Sequence, residues 1–178
     1  MSWSPPVTIT TEAHQVRLTP IALVRELATR YGRGRFSFDA ACTQSTCVIC
    51  RAGWPCTMEH PIDALSVPWL GSVWFNPPWK DVGRWVSKAA QEMARPDGPM
   101  CCVGLLPARM GSEWVQPVLR CGGRFVFPVG RVAYGGSGTS PFEASFVLVL
   151  ERPLMVSDYR KTAEDEPGVM DLAQERLL

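Results

Sequence analysis

An asparagine, two prolines and a tryptophan occupy residues 76–79, directly after an apolar run that predicts a strand. In an open parallel sheet, ligands bind outside the carboxyl ends of the strands, which is where this segment would lie. Proline lacks an N–H group, so Pro77 and Pro78 present carbonyl acceptors. The Asn76 oxygen and a proline carbonyl could accept both hydrogens of an exocyclic amine and turn its lone pair toward an electrophile. Trp79 could stack on the same ring, although a rigid turn with a packed tryptophan is the alternative.

Four of the seven cysteines lie close together in the sequence, with a spacing that suits a metal ion. Cys47 and Cys50 form a Cys-x-x-Cys pair that can chelate, and Cys56 or Cys42 could complete a thiolate set for structural zinc. Structural zinc sites more often contain two such pairs, so reduced cysteines without a metal are the alternative. The odd number of cysteines disfavours a disulfide framework.

Hydrophobic periodicity predicts helices that alternate with strands. The first helix begins at Pro20 with Thr19 as its cap, and Gly32 and Gly34 end it. Asp81 is predicted to cap a second helix, whose apolar residues recur at helical spacing. Strands are predicted at residues 36–41, 72–75, 100–106, 124–127 and 144–150. This alternation is typical of an α/β fold with a largely parallel sheet.

Length and composition predict one globular domain, because the chain has 178 residues, 46% of them hydrophobic and 20% charged. The longest strongly apolar stretch is too short for a membrane span, which needs about 20 residues. The N-terminus has no basic region followed by an apolar run, so we expect a soluble intracellular protein. We predict that residues 1–14 form a flexible N-terminal lead-in segment, residues 15–155 the folded domain and residues 156–178 an acidic C-terminal tail.

The net charge of +1 does not demand a polyanionic partner, but the charge is unevenly spread. The tail at residues 156–178 carries six acidic and three basic residues, which leaves the rest of the chain more basic. Most of the basic residues are arginines, which can bind phosphates in a bidentate manner. The body of the protein could therefore accept nucleic acid, although a solvated surface explains the charge as well.

The segment at residues 76–79 resembles the catalytic motif of amino-methyltransferases that use S-adenosylmethionine, in the form with asparagine first and an aromatic residue last. From residue 19 to residue 150, the chain resembles the phage-encoded Dam-like DNA N6-adenine methyltransferases. Further segments match that family in the same order along the chain. They are Thr19-Pro20, Phe38-Asp39-Ala40-Ala41, Asp63-Ala64-Leu65 with Trp69 and Gly71, Leu105-Leu106-Pro107-Ala108 and Gly130-Arg131.

The resemblance implies a single-domain, Rossmann-like methyltransferase that modifies N6 of adenine in double-stranded DNA with S-adenosylmethionine as cofactor. A base inside a duplex is out of reach, so the target adenine would be flipped out. The implied catalytic residues are Asn76, Pro77, Pro78 and Trp79, and the implied cofactor-binding residues are Thr19, Pro20, Asp39, Ala40 and Asp63. Asp39 would face the methionine part of the cofactor and Asp63 its adenine amine, although a cap or turn is the alternative for each.

Arg131 precedes a glycine-rich loop, where it could contact a DNA phosphate or close over the flipped base. A surface ion pair with Glu143 is the alternative for this arginine. We expect a monomer that has no obligate protein partner and does not associate with a membrane. If it is phage-encoded, we expect it in the cytoplasm of the host. Two other functions stay open: methylation of RNA or of a protein glutamine, and a zinc-stabilised DNA-binding protein without catalysis.

Overall fold

The computed structural model describes residues 18–43, 45–55, 63–128, 132, 134 and 144–152. A 3-10 turn at Trp79–Asp81 leads into one of its four helices. The elements, in chain order, are α1 Ile21–Tyr31, β1 Phe38–Asp39, α2 Val48–Arg51, β2 Ser72–Phe75, α3 Val82–Ala94, β3 Cys101–Pro107, α4 Val115–Arg120, β4 Arg124–Val126 and β5 Ser145–Glu151. The predicted α/β class is confirmed, and each predicted strand has a counterpart.

The five strands of the described residues form one sheet in the order β1-β2-β3-β5-β4. The pairs β1–β2 and β2–β3 are parallel, whereas β5 is antiparallel to both β3 and β4. The prediction of a largely parallel sheet is therefore only partly right. The segment between β4 and β5, predicted as a flexible loop, is rich in glycine and shows no helical periodicity in the sequence. Without a crossover, a strand returns antiparallel to its neighbour.

Helices cover both faces of the sheet, because alternate residues of each strand point to opposite sides. On one face, Trp74 and Val103 pack with Val24 and Leu27 of α1 and with α2. On the other face, Phe75 and Leu106 pack with residues of α3 and α4. Burial on both faces explains why β3 is an unbroken apolar run rather than an alternating one.

The predicted helix caps differ from the observed ones. Pro20 is the N-cap of α1, and the Thr19 hydroxyl bonds to another part of the chain. Asp81 is the N-cap residue of α3, as predicted, but its side chain makes no capping hydrogen bond there. Gly32 ends α1 as expected, with its N–H donating to the Ala28 carbonyl at 2.8 Å. Helix α2 was not predicted, because four residues are too few to show a period.

Several predicted features lie outside the described residues. They are the lead-in at residues 1–14, the tail at residues 156–178, the loop before β5, Cys56 and Arg131. Within the described ranges, none of the helices combines the length and the apolar character that a membrane crossing requires.

Candidate active site

A cavity of about 200 Å³ lies at the carboxyl ends of β1 and β2. The two strands pair in parallel with Asp39 opposite Trp74, so the segments that follow them lie side by side. The lining residues are Thr19, Asp39, Ala41, Cys42, Thr43, Thr46, Val48, Trp74, Asn76 and Pro78. The cavity thus brings together four residues that were singled out in separate parts of the sequence, namely Thr19, Asp39, Asn76 and Pro78.

A hydrogen bond joins the segment before α1 to the segment after β2. The Asn76 Nδ2 atom donates to the Thr19 hydroxyl oxygen at 3.0 Å, across 57 positions of sequence. Thr19 is only 2% exposed, so its hydroxyl is a fixed partner. Because the amide nitrogen faces Thr19, the carboxamide oxygen of Asn76 is turned away from that hydroxyl. The side chain therefore has a defined orientation at the edge of the cavity.

The two prolines differ in how their carbonyls are used. The Pro78 carbonyl accepts the Asp81 N–H at 3.0 Å and so closes the 3-10 turn before α3. No described residue donates to the carbonyl of Pro77, whose ring is buried. Among the described residues, the Pro77 carbonyl therefore has no donor, whereas the Pro78 carbonyl has one. The sequence alone could not distinguish the two carbonyls.

Trp79 is half-buried at the start of the 3-10 turn and packs against both hydrophobic cores. Its ring meets the Tyr134 ring edge-on, with centroids 6.4 Å apart. Tyr134 is itself held by a 2.9 Å hydrogen bond between its hydroxyl and Ser145 of β5. The Trp79 ring is thus fixed by packing rather than free to rotate, as a stacking platform requires.

Asp39 is a buried carboxylate in the wall of the cavity. Its Oδ2 atom accepts the Val48 N–H at 2.8 Å, at the start of α2. Burial raises the pKa of Asp39 to about 7, and the hydrogen bond from Val48 opposes that rise only in part. A cationic ligand in the cavity would favour the ionised form of this group.

Two thiols lie beside Asp39. The ligand atoms of Asp39, Cys42 and Cys47 all lie within 4.8 Å of one another. A hydrogen bond with Cys47, together with burial, raises the pKa of the Cys42 thiol well above its usual range. Cys50 is exposed and is not part of this cluster, and Cys56 lies outside the described residues. The cluster therefore combines Cys47 with Cys42 and Asp39. The sequence had predicted Cys47 and Cys50 together with Cys56 or Cys42.

The other predicted cofactor residues do not line the cavity. Asp63 is exposed and accepts hydrogen bonds from the Leu65 N–H and the Ser66 hydroxyl, which is the arrangement of a local turn. The hydrogen bond from Ser66 lowers the pKa of Asp63. Pro20 and Ala40 are each next to a lining residue, and Ala40 is buried.

Trp74 is the lining residue that sequence reasoning missed most clearly. Its side chain is fully buried, and its indole Nε1–H has no hydrogen-bond partner among the described residues. The alternation along β2 places Trp74 on the opposite face from Phe75, which could have indicated that it faces α1. Thr43 and Thr46 were also missed, and they contribute hydroxyls.

These residues fit S-adenosylmethionine chemically. A sulfonium cation and an adenosine need an acidic group, an aromatic wall and hydrogen-bonding groups for the ribose and the base. Asp39 supplies the carboxylate, Trp74 an aromatic wall whose indole N–H has no acceptor among the described residues, and Thr43 and Thr46 the hydroxyls.

Comparison with known proteins identifies the family of this chain. The family model described as DNA N-6-adenine-methyltransferase (Dam) matches residues 8–156, well over half of the chain. Searches of curated proteins and of solved structures gave no match. The matched region contains every residue that lines the cavity. The description of the family implies that its members methylate adenine in DNA. The chain belongs to the DNA N-6-adenine-methyltransferase (Dam) family.

Proposed function

We propose that this protein methylates N6 of adenine in double-stranded DNA, with S-adenosylmethionine as the methyl donor. The observation that carries the proposal is the hydrogen bond between Asn76 and Thr19 at the edge of the cavity. It connects the segment that resembles a cofactor motif with the segment that resembles a catalytic motif. Membership of the Dam family supports the same reaction.

The cofactor is assigned to the cavity at the ends of β1 and β2. When bound, S-adenosylmethionine supplies an electrophilic methyl group. Asp39 would attract the cationic part of the cofactor, and the buried Trp74 would supply an aromatic surface and an N–H donor. The hydroxyls of Thr43 and Thr46 would bind its polar groups. Pro20 and Ala40, which are each next to a lining residue, would support the wall of the cavity. Asp63 lies outside this wall, so we assign it no contact with the part of the cofactor that the cavity holds.

The amine is assigned to the segment after β2. The Asn76 oxygen and the Pro77 carbonyl would accept the two N6 hydrogens, and Trp79 would stack on the adenine ring. Two acceptors on these hydrogens would withdraw the nitrogen lone pair from conjugation with the ring, direct it toward the methyl group and stabilise the positive charge that develops on nitrogen. The amine would attack the methyl group as the bond from that methyl to sulfur breaks, and N6 would then lose one proton to solvent. Such a transfer relies on positioning and electrostatics, so no nucleophilic side chain is needed.

The biological setting is also part of the proposal. We infer a phage-encoded, monomeric enzyme that acts on DNA in the cytoplasm of its host, because the chain resembles small phage methyltransferases. Arg131 would contact the DNA backbone. Its role is to be tested by substitution, since it lies outside the described residues.

The proposal is tested by methyl transfer from radiolabelled S-adenosylmethionine to duplex DNA, followed by digestion and separation of the nucleosides. We expect label in N6-methyladenine and none in an alternating dG-dC duplex, which contains no adenine. Label that appears only in RNA or in protein glutamine would overturn the choice of substrate. Absence of cofactor binding, together with stoichiometric zinc, would favour a zinc-stabilised DNA-binding protein instead.

A further inference from the structure

A second cavity, of about 380 Å³, lies at the carboxyl ends of β2 and β3. Its lining residues are Trp79, Lys80, Val82, Gly83, Pro107, Arg109, Gly111, Ser112, Glu113 and Trp114. Trp79 lines this cavity and follows directly after Pro78, which lines the first one. The two cavities therefore flank one short segment of chain, and any ligand in the second lies against the ring assigned to the target base.

The charge of the second cavity suits a polyanion. Lys80 and Arg109 are both exposed and contribute two positive charges from different loops, and Glu113 contributes one negative charge. The hydroxyl of Ser112 adds a hydrogen-bonding group. Val82 and Gly83 begin α3, a helix of 13 residues whose N-terminal N–H groups favour a negative ligand at that end.

Exposed apolar side chains lie on the same edge of the molecule. Met110, between two lining residues, is 46% exposed, and Phe127, just past the carboxyl end of β4, is 62% exposed. Phe127 contacts Phe146, which in turn contacts Trp114 of the cavity wall. Cationic groups beside exposed apolar side chains are typical of proteins that hold a distorted duplex.

We propose that the second cavity binds the sugar–phosphate backbone of the target strand, beside the flipped adenine, with Lys80 and Arg109 as phosphate contacts. The inference rests on the proposed function. A flipped base stays attached to its own backbone, so a base stacked on Trp79 brings its phosphates to the neighbouring cavity. The contacts are to phosphate rather than to base edges, so they would support binding without adding sequence specificity.

The test measures the affinity of the full chain for a short fluorescein-labelled duplex over a range of salt concentrations. Lys80→Gln and Arg109→Gln should each weaken binding several-fold, by similar factors for duplexes of different sequence. Each should also reduce the slope of log affinity against log salt by about 1, the value for one lost phosphate contact. The KM for DNA should rise while kcat stays close to that of the original protein.

Glu113→Gln provides the opposite test, because it removes the negative charge of the cavity. We expect tighter DNA binding and a steeper salt dependence for this variant. The matched control for Lys80→Gln and Arg109→Gln is Arg120→Gln, which removes the same positive charge at an exposed residue. Helix α4 returns the chain from the end of β3 to the start of β4, so Arg120 lies toward the opposite edge of the sheet.

The outcomes separate this inference from the proposed function. If the original protein methylates DNA but Lys80→Gln, Arg109→Gln and Glu113→Gln bind DNA as it does, the second cavity is not the backbone site. If the original protein neither binds nor methylates DNA, the proposed function fails first. Calorimetric affinity for S-adenosylmethionine should be unchanged in all three variants, and a loss there would show that the substitution disturbs the fold.

Discussion

Asn76 carries the reaction in our proposal, and Thr19 holds it in place. The 3.0 Å hydrogen bond between them leaves the carboxamide oxygen directed away from Thr19. A side chain that must accept a hydrogen from a substrate amine needs such a fixed orientation, because a small displacement of a positioned group can cost a large factor in rate.

Asn76→Ala should abolish methyl transfer, with a loss of at least about 100-fold in kcat, because it removes one of the two acceptors for the amine. The affinity for S-adenosylmethionine should stay within a few-fold. Asn76→Asp is the matched variant, since it keeps an acceptor oxygen of the same reach, and it should retain part of the activity. Full activity in Asn76→Ala would rule out the proposed mechanism.

Thr19→Val removes the hydroxyl at nearly constant volume and so leaves the Asn76 amide without this partner. The net value of such a hydrogen bond is about 1 kcal/mol, which corresponds to roughly a fivefold loss in kcat. Thr19→Ser keeps the hydroxyl and should restore most of that loss. Equal kcat values for the two variants would show that Thr19 does not position Asn76.

Asp39 makes the stability of the protein depend on pH. Its pKa is about 7 in the folded chain and near 3.8 in the unfolded chain, so the folded state keeps the proton to higher pH. The free energy of unfolding should therefore fall as the pH rises from about 4 to about 7, and level off above that.

Asp39→Asn should remove this dependence. At pH 8 the variant should be more stable than the original protein by a few kcal/mol at most, since one pKa unit corresponds to about 1.4 kcal/mol. Near pH 4 the two proteins should be equally stable. Urea unfolding across this range measures the effect. A gain in stability together with weaker binding of S-adenosylmethionine is the pattern of a residue kept for function.

The site residues were predictable to the extent that each belonged to a local pattern. Asn76 and its prolines follow a strand, and Asp39 lies at the end of another, so both were placed at the correct edge of the sheet. Asp63 also matched a local pattern, but the structure places it in a turn outside the cavity. Nothing in the sequence could show that Thr19 meets Asn76, because only the fold joins positions so far apart.

Among the secondary-structure elements, β2 is the most closely fitted to its neighbour. Phe75 pairs with Gly104 of β3, and a side chain at Gly104 would overlap the Phe75 ring. Because Gly104 has no side chain, the Phe75 ring can lie across β3. Phe75 is the residue immediately before Asn76 in the sequence. The packing of these two strands thus sets the position of the segment that we propose to be catalytic.

Gly104→Ala should destabilise the protein by about 1–3 kcal/mol, because the added methyl group overpacks the core. The shift of Phe75 should also reduce methyl transfer by more than the loss of stability explains. Gly111→Ala is the control for stability, since the space around Gly111 is open. Thermal unfolding of both variants and the transfer rate of Gly104→Ala test this, and unchanged behaviour of Gly104→Ala would contradict the assigned contact.

Sequence patterns located the elements better than their connections. The bounds of β2 were predicted correctly, because Gly71 and Asn76 with its prolines enclose a short apolar run. Helix α2 was missed because its four residues are too few to show a helical period. The direction of β5 was missed because an apolar run does not indicate whether the strand pairs in parallel or antiparallel. Strand direction depends on the path of the connecting segment, which local periodicity does not encode.

At the scale of the whole molecule, the described residues to which we assign functions concentrate at one edge of the sheet. Both cavities lie where the parallel strands end, and they are separated by the segment that carries Asn76 and Trp79. A chain with a net charge of only +1 can still present a local cationic surface in this way. Attraction to DNA would then be directed to the edge where the chemistry takes place.

The position of β5 has a consequence for the synthesis of the protein. This strand comes last among those described, yet it lies inside the sheet, between β3 and β4. While the ribosome is still translating the residues before Ser145, β3 and β4 have no partner between them, and the sheet cannot close. Tyr134 also waits for Ser145 to fix its ring against Trp79. By our proposal, a nascent chain would therefore become competent for methylation only after β5 has emerged from the ribosome.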